Sequence, residues 1–258
     1  MTPRPYILAE QTWDFMRAAK VEVAILPWGA TEAHNKHLPY GTDTIEAESV
    51  AAESARLATE AGASILVLPA VPFGVHTSQT EIPCCLNMNP STQAALLRDL
   101  VVSLAPHGIR KLVILNGHGG NDFRAFIREL QPTVPMLLAQ LNWYAAVAPA
   151  GFFDAPGDHA GELETSVMQH LAPALTRPLP TAGPGRAHPH TIRAFREGWA
   201  WTPRHWVEVT DDTGVGNPAA ATADKGRKFF DACCGKIAEF LVELSAVEPD
   251  QLYEKGST

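Results

Sequence analysis

Carboxylates and imidazoles occur in two loops that each follow an apolar run. The first loop contains Glu32 and His34, and Asp43 comes nine residues after His34. The second loop has the sequence Asn-Gly-His-Gly-Gly-Asn at 116–121, with His118 at its centre. Because ligands bind at the carboxyl ends of strands in open α/β sheets, we expect these side chains to meet at that edge.

Glu162, at the start of a later predicted helix, adds a third carboxylate. Three carboxylates and two imidazoles are more than the four ligands of one tetrahedral zinc ion. They suit two divalent ions that share a bridging carboxylate, for which Asp43 is the natural choice. Oxygen and nitrogen ligands without thiolate fit zinc, manganese or iron, so the ligand types leave the ion open, and we expect zinc with manganese or iron as alternatives. The pattern therefore predicts two divalent metal ions per subunit that activate water for attack on a carbonyl group.

Each of these residues also has an ordinary structural interpretation. Asp43 could cap a helix, with Glu46 reaching back to the helix start. Glu32 could be a solvated loop acid, and His34 could be a histidine satisfied within a turn. The His118 loop could hold phosphate at a helix N-terminus, but it lacks the Gly-Lys-Ser/Thr ending of a P-loop and the glycine spacing of a dinucleotide site. A serine hydrolase is disfavoured because no Gly-x-Ser-x-Gly segment occurs.

Apolar runs and helix-length segments alternate along the chain. Continuous Val, Ile and Leu runs predict buried strands at 21–26, 65–68, 112–115 and 136–141. Helices are predicted at 44–61, 91–104, 123–130 and 219–244. This alternation indicates an α/β fold, a three-layer α/β/α arrangement with a mostly parallel central sheet. The proline- and tryptophan-containing segment 176–213 is expected to form loops and short strands that cover the site or an oligomer contact.

Length and composition limit the function classes. A chain of 258 residues suits one domain over 1–258. Its net charge of -8 argues against nucleic acid or an anionic membrane surface as a partner. The N-terminal segment lacks the apolar core of a signal peptide, and the longest apolar stretch, 61–75, is broken by glycine and proline, so we expect a cytoplasmic protein without a membrane span. The adjacent cysteine pairs at 84–85 and 233–234 are expected to be buried or half-buried thiols.

The motifs together resemble the creatininase, or creatinine amidohydrolase, family. They lie at 29–34, 37–43, 116–121, 159–166 and, more weakly, 214–218. The resemblance implies one α/β/α domain, a dinuclear metal site, hydrolysis of non-peptide C–N bonds and assembly into a homohexamer. Matched position by position, the metal ligands would be Glu32, His34, Asp43, His118 and Glu162.

Some roles stay open within this resemblance. Glu164 competes with Glu162, since helix residues two apart point to different sides. His159 matches a histidine that handles protons and would protonate the departing nitrogen, although it could instead orient a carboxylate through a hydrogen bond. His76 and Gly119 are predicted to contact the small-molecule substrate.

Two departures from creatininases proper argue against creatinine as the substrate. Gly120 stands where those enzymes carry a glutamate ligand, and segment 80–85 replaces their Phe-Pro-Gly-Thr. The prediction is therefore hydrolysis of a small amide, cyclic amide or formamide. A metal-holding or ligand-binding protein without turnover is one alternative. A dinuclear phosphoesterase is another, but few Lys or Arg residues lie beside the ligand loops.

Overall fold

A parallel sheet of four strands lies at the centre of the computed structural model, which describes residues 2–254. The strands are β1 (Val23–Trp28), β2 (Ile65–Val67), β3 (Lys111–Asn116) and β4 (Leu137–Asn142). Their spatial order is β2-β1-β3-β4, and every pairing is parallel. All four predicted strands are present, with ends shifted by one or two residues.

Helices connect and cover these strands. The helix α3 starts at Pro90 after Asn89, as the Asn-Pro pair predicts, although the Asn89 side chain makes no capping hydrogen bond. The last helix starts later than expected, because 218–220 form a separate 3-10 turn and the Thr222 side chain caps the helix. The helices are α1 (Trp13–Ala18), α2 (Thr42–Glu60), α3 (Pro90–Leu104), α4 (Arg124–Leu130), α5 (Glu162–Leu171), α6 (Arg193–Arg196), α7 (Trp206–Val209) and α8 (Ala223–Ala246).

The two faces of the sheet bury separate apolar cores. Val23 and Ile25 of β1 pack into a cluster with residues of α2 and α8. Ala24 and Leu26, which alternate with them, pack into a second cluster with α3 and α4. This alternation of side chains on a strand places helices on both faces of the sheet. The predicted three-layer α/β/α arrangement is confirmed.

The segment 176–213 folds without the expected short strands. All of its residues are described, and they form a 3-10 turn at Leu179–Thr181 and the short helices α6 and α7, with one isolated bridge between Ala187 and Thr210. In this segment, side chains form hydrogen bonds with backbone groups that a neighbouring strand would otherwise pair. The Asp212 carboxylate accepts a hydrogen bond from the Gly185 amide, and the Asn35 side chain bonds to both the N–H and the carbonyl of Gly183.

Two further predictions concern the thiols and membrane spans. Cys233 and Cys234 are buried, whereas Cys84 is exposed and Cys85 is partly buried. The expectation of buried or half-buried thiols is therefore wrong for Cys84. Among residues 2–254, no helix is both long and apolar enough to cross a bilayer.

Candidate metal centre

The carboxyl ends of β1 and β3 form the base of the candidate site. From β1 the chain runs through α2 to β2 on one side, and from β3 it runs through α4 to β4 on the other. The crossovers therefore diverge between β1 and β3, which is where open α/β sheets bind their ligands. The loop after β1 carries Glu32 and His34, and the loop after β3 carries His118.

Glycines bring α2 close to these strand ends. A Cβ at Gly29 would lie 2.6 Å from Thr44 Cα, and a Cβ at Gly117 would lie 2.7 Å from the Asp43 carbonyl oxygen. Only residues without a Cβ fit at both strand ends, so the first turn of α2 rests directly on them. This contact places the Asp43 side chain between the two loops. Gly41 occupies the N-cap position, so the interpretation of Asp43 as a helix cap is wrong.

The Asp43 carboxylate faces two different imidazoles. Its Oδ1 lies 2.8 Å from His34 Nε2, and its Oδ2 lies 3.1 Å from His118 Nδ1. Glu32 Oε1 lies 2.7 Å from the same His118 nitrogen. On the other side, His34, Asp43 and Glu164 each offer one ligand atom, and these atoms lie within 4.8 Å of one another. The cluster therefore has two halves that share Asp43.

Backbone carbonyls orient both imidazoles. His34 Nδ1 lies 3.1 Å from the Glu32 carbonyl oxygen, and His118 Nε2 lies 3.0 Å from the Val75 carbonyl oxygen. A carbonyl can only accept, so in the neutral imidazole each of these nitrogens carries the proton. The lone pairs of His34 Nε2 and His118 Nδ1 then point into the carboxylate cluster. Histidine ligands of metal ions are commonly held in this way.

Some inward-facing atoms of the cluster lack hydrogen-bond partners. Within the described part of the chain, His34 Nε2 and Asp43 Oδ2 are buried and have no hydrogen bond. The short contact of His34 Nε2 with Asp43 Oδ1 and that of Asp43 Oδ2 with His118 Nδ1 do not count as hydrogen bonds. Buried polar atoms normally find a partner, and exceptions point to an ion or a functional role. These residues therefore fit a bound cation.

The carboxylates favour positive charge at both imidazoles. Burial alone would lower the pKa of His34, but Asp43, with Glu164 and Glu32, outweighs it and raises the pKa to about 10. Burial likewise opposes the protonation of His118, and Glu32 and Asp43 still raise its pKa well above the usual range. In turn, the imidazoles of His118 and His159 overcome the effect of burial and hold the pKa of Glu32 well below its ordinary value.

His159 lies at the edge of the cluster. Its Nε2 is 2.8 Å from the Ala33 carbonyl oxygen, so Nδ1 carries the lone pair in the neutral ring. That Nδ1 lies 3.9 Å from Glu32 Oε1. The ring stacks on His34 with centroids 4.1 Å apart and meets the edge of Trp206. His159 therefore presents a basic nitrogen to the candidate site.

The two glutamates at the start of α5 point in different directions. Glu162 Oε1 lies 2.5 Å from Lys225 Nζ, and Glu162 Oε2 accepts the Ala155 N–H at 2.8 Å. Both of its oxygens are thus engaged away from the imidazoles. Glu164 lies in the cluster instead, where it also accepts the Ala160 N–H. The structure therefore groups Glu164, and not the predicted Glu162, with His34 and Asp43, and Glu162 instead pairs with Lys225 of α8.

His76 and Gly119 both line the cavity above the cluster. Only 3% of His76 is exposed, and neither of its ring nitrogens has a hydrogen-bond partner in the described residues. One His76 nitrogen is within 4.8 Å of ligand atoms of Glu32 and His118. The predicted positions of these two residues at the cavity are therefore observed, and their contact with substrate stays a prediction.

Sequence reasoning missed other residues at the site. The sequence predicts Glu46 only as a capping partner, yet burial and the nearby Glu164 and Asp43 carboxylates raise its pKa well above its usual range. Gln79 donates a hydrogen bond to Glu32, and Arg204 lies at the cavity wall. Glu46 follows Asp43 by one helical turn, which is a usable signal, whereas no spacing connects Gln79 or Arg204 to the ligand loops.

The fold and the site define an α/β protein with a buried carboxylate–imidazole cluster at the carboxyl edge of its sheet. Residues 9–241 match the family model Creatininase, described as creatinine amidohydrolase. The chain belongs to the creatininase family.

Individual relatives agree with this assignment. The mycofactocin precursor peptide peptidase of Mycobacterium tuberculosis (strain CDC 1551 / Oshkosh) is 32% identical over 231 residues, covering 84% of this chain and 85% of that protein. A crystal structure from Bacteroides fragilis NCTC 9343, of a protein assigned as a creatinine amidohydrolase, is 44% identical with a TM-score of 0.91 and covers 97% of this chain and 99% of that one. A creatininase in its manganese form is 22% identical with a TM-score of 0.76 over 95% of this chain and 100% of that one, which shows the shared fold.

Proposed function

We propose that this chain is a metal-dependent hydrolase that cleaves a non-peptide C–N bond in a small amide, cyclic amide or formamide. It would hold two divalent cations per subunit, with zinc favoured and manganese or iron as alternatives. The observation that carries this proposal is the Asp43 carboxylate, whose two oxygens face different imidazoles. A manganese creatininase with the same fold supports a metal-dependent function.

Two sets of side chains would hold the cations. Glu32, His118 and Asp43 Oδ2 form one set. His34, Asp43 Oδ1 and Glu164 form the other. When bound, a pair of divalent cations activates water near neutral pH and polarises the carbonyl that is attacked.

His159 would move protons beside these sets. The Ala33 carbonyl fixes its Nε2–H, which leaves Nδ1 free to accept a proton and to return it to the departing nitrogen. The ring packs between His34 and Trp206, so its orientation is fixed.

The cavity favours a second candidate, hydrolysis of an amide in a larger, peptide-like molecule. Its volume is about 700 Å³, within the usual range of ligand pockets and more than one small cyclic amide needs. Trp201 and Trp206 line it beyond the cluster. Arg204, the one Lys or Arg among the described lining residues, stacks on Trp206 at 4.5 Å and pairs with Asp158. The likeness to a peptide peptidase supports the same candidate.

One experiment separates these functions. Protein loaded with Zn²⁺ or Mn²⁺ is assayed for metal content and then incubated with lactams, formamides, ureido compounds, short peptides and phosphate monoesters. Product from a lactam, formamide or ureido compound, absent in an Asp43→Asn control, supports the leading proposal. Turnover of peptides alone supports the second candidate. Phosphate release without cleavage of any C–N bond, or saturable binding without any product, refutes amide hydrolysis.

The predicted homohexamer is a separate proposal that rests on the family resemblance. Light scattering of the purified protein tests it. A monomer at assay concentration refutes it without bearing on the chemistry.

A further inference from the structure

The Glu32 carboxylate has two oxygens in different surroundings. Oε1 faces His118 Nδ1 at 2.7 Å, on the side where a cation would lie. Oε2 accepts a hydrogen bond from the Gln79 side-chain amide. Only 4% of Gln79 is exposed, so water does not compete for this contact. The amide therefore occupies one oxygen and leaves the other free for a cation.

Cys85 fixes the orientation of the Gln79 amide. The Cys85 thiol donates to Gln79 Oε1 at 3.5 Å, which turns the NH₂ group of Gln79 toward Glu32. The same sulfur accepts the Ala33 N–H at 3.3 Å, directly after Glu32 in the chain. The contacts form a closed ring of Glu32, Gln79, Cys85 and Ala33.

Backbone hydrogen bonds hold this ring in place. The Ile82 N–H donates to the Gln79 carbonyl, and the Cys85 N–H donates to the Ile82 carbonyl, so two successive turns join Gln79 to Cys85. The Leu86 N–H then donates to the Thr31 carbonyl beside Glu32. The segment that departs from the creatininase pattern is thus attached to the Glu32 loop on both sides.

We propose that Gln79, oriented by Cys85, is a positioning residue that makes Glu32 a one-oxygen ligand. The inference rests on the proposed function, since it assigns Glu32 to a bound cation. Metal ligands depend on such outer hydrogen bonds, whose loss commonly weakens metal binding by about 10–100-fold. Without the amide, Glu32 is free to rotate or to offer both oxygens, and the coordination number changes.

The test measures metal binding rather than turnover. Zn²⁺ affinity is determined by competition with a chelator for wild type, Gln79→Leu, Cys85→Ala, Cys85→Ser and Cys84→Ala. We expect about 10–100-fold weaker binding for Gln79→Leu and a smaller loss for Cys85→Ala. Cys85→Ser should restore wild-type affinity because a hydroxyl also donates and accepts. Cys84→Ala is the matched control, since the neighbouring Cys84 is exposed and lies outside the ring.

A double variant decides whether the two residues act in series. In a Gln79→Leu background, Cys85→Ala should cost no further affinity, because the amide that it orients is gone. The visible spectrum of Co²⁺-loaded Gln79→Leu should also differ from wild type, as a changed coordination number requires.

Unchanged affinity and spectrum in Gln79→Leu overturn the inference, as do fully additive losses in the double variant. If wild type binds no divalent cation, the proposed function and this inference both fail. If wild type binds cations but hydrolyses nothing, only the proposed function fails.

Discussion

Replacing Glu162 or Glu164 separately by glutamine should have opposite effects on metal binding and on stability. The two side chains lie two residues apart at the start of α5, and glutamine keeps nearly the same shape. Glu162 bonds to Lys225 and Ala155, whereas Glu164 lies among His34 and Asp43. Glu162→Gln should therefore lower the stability of the metal-free protein, and Glu164→Gln should remove a cation.

The cost of Glu162→Gln follows from its surroundings. The side chain is fully buried, and removing one partner of a buried ion pair costs about 3–5 kcal/mol. Lys225 keeps 28% side-chain exposure and a second partner, Asp154 at 2.9 Å, so its charge remains solvated. The glutamine oxygen also still accepts from Ala155. We therefore expect a loss of about 2 kcal/mol, less than the full cost. For a chain of this length, that lowers the Tm by about 4–8 °C.

Glu164→Gln should leave the metal-free protein equally or more stable. Burial raises the pKa of Glu164, and the nearby Asp43 carboxylate adds to this effect, although His34 and His159 oppose it. A carboxyl whose folded pKa is raised loses stability as the pH climbs above its unfolded value, so a neutral amide removes that cost at neutral pH. Cation binding between His34 and Asp43 should weaken by more than the roughly 10–100-fold seen when outer partners are lost.

Thermal unfolding with and without chelator, together with metal content per subunit, measures both effects. Glu162→Gln should bind two cations with a lowered Tm, and Glu164→Gln should bind one with an unchanged or raised metal-free Tm. Loss of a cation from Glu162→Gln while Glu164→Gln keeps two would reverse the assignment. Two cations in both variants would remove α5 from the metal centre.

Three other perturbations test separate parts of the site. Asp43→Asn should lose both cations and hydrolysis together, and a variant that keeps two ions per subunit would contradict its bridging role. His159→Gln should keep its metal content and lower kcat by about 10²–10⁴-fold, whereas metal loss would indicate a structural role. Burial lowers the pKa of His37 from 6.5 to about 4, so the unfolded chain takes up a proton there that the folded chain does not, and the contribution of His37 to stability should fall by about 3 kcal/mol between pH 6.5 and 4. His37→Gln, which can still reach Thr165, should show a smaller fall in urea unfolding of metal-free protein, and an identical pH dependence would refute this assignment.

Local pattern predicted the elements of the fold well and their ends less well. Continuous apolar runs predicted all four strands, because a parallel sheet covered on both faces needs apolar side chains at every position. Pairing extends past the apolar run to Trp28 and Asn116, which face each other across β1 and β3. The Asn116 side chain is buried, and it donates hydrogen bonds to the His118 carbonyl oxygen and to the Asn142 side chain. A single sequence does not reveal these partners.

The candidate site was predictable where the candidate ligands follow strand ends. Glu32, His34 and His118 lie in loops directly after β1 and β3, and these strands turn out to be neighbours. The choice between Glu162 and Glu164 depends on Lys225, which is 63 residues away from Glu162 along the chain. Gln79 is likewise 47 residues from Glu32. Contacts of this kind depend on how elements that are distant in the chain pack together, and no local spacing in the sequence predicts them.

The electrostatics of the cluster bear on the proposal that two cations bind there. Asp43 and its neighbouring carboxylates raise the pKa of two imidazoles, His34 and His118, and each imidazole faces a different Asp43 oxygen. Without metal, the buried carboxylates are therefore balanced by two protons, one in each half of the cluster. These are the same two places where the proposed ligand sets lie. Metal ligands must be deprotonated, so each cation would replace the positive charge that the fold already stabilises there. A single ion would replace only one of these two protons, and the imidazole in the other half of the cluster would keep its positive charge.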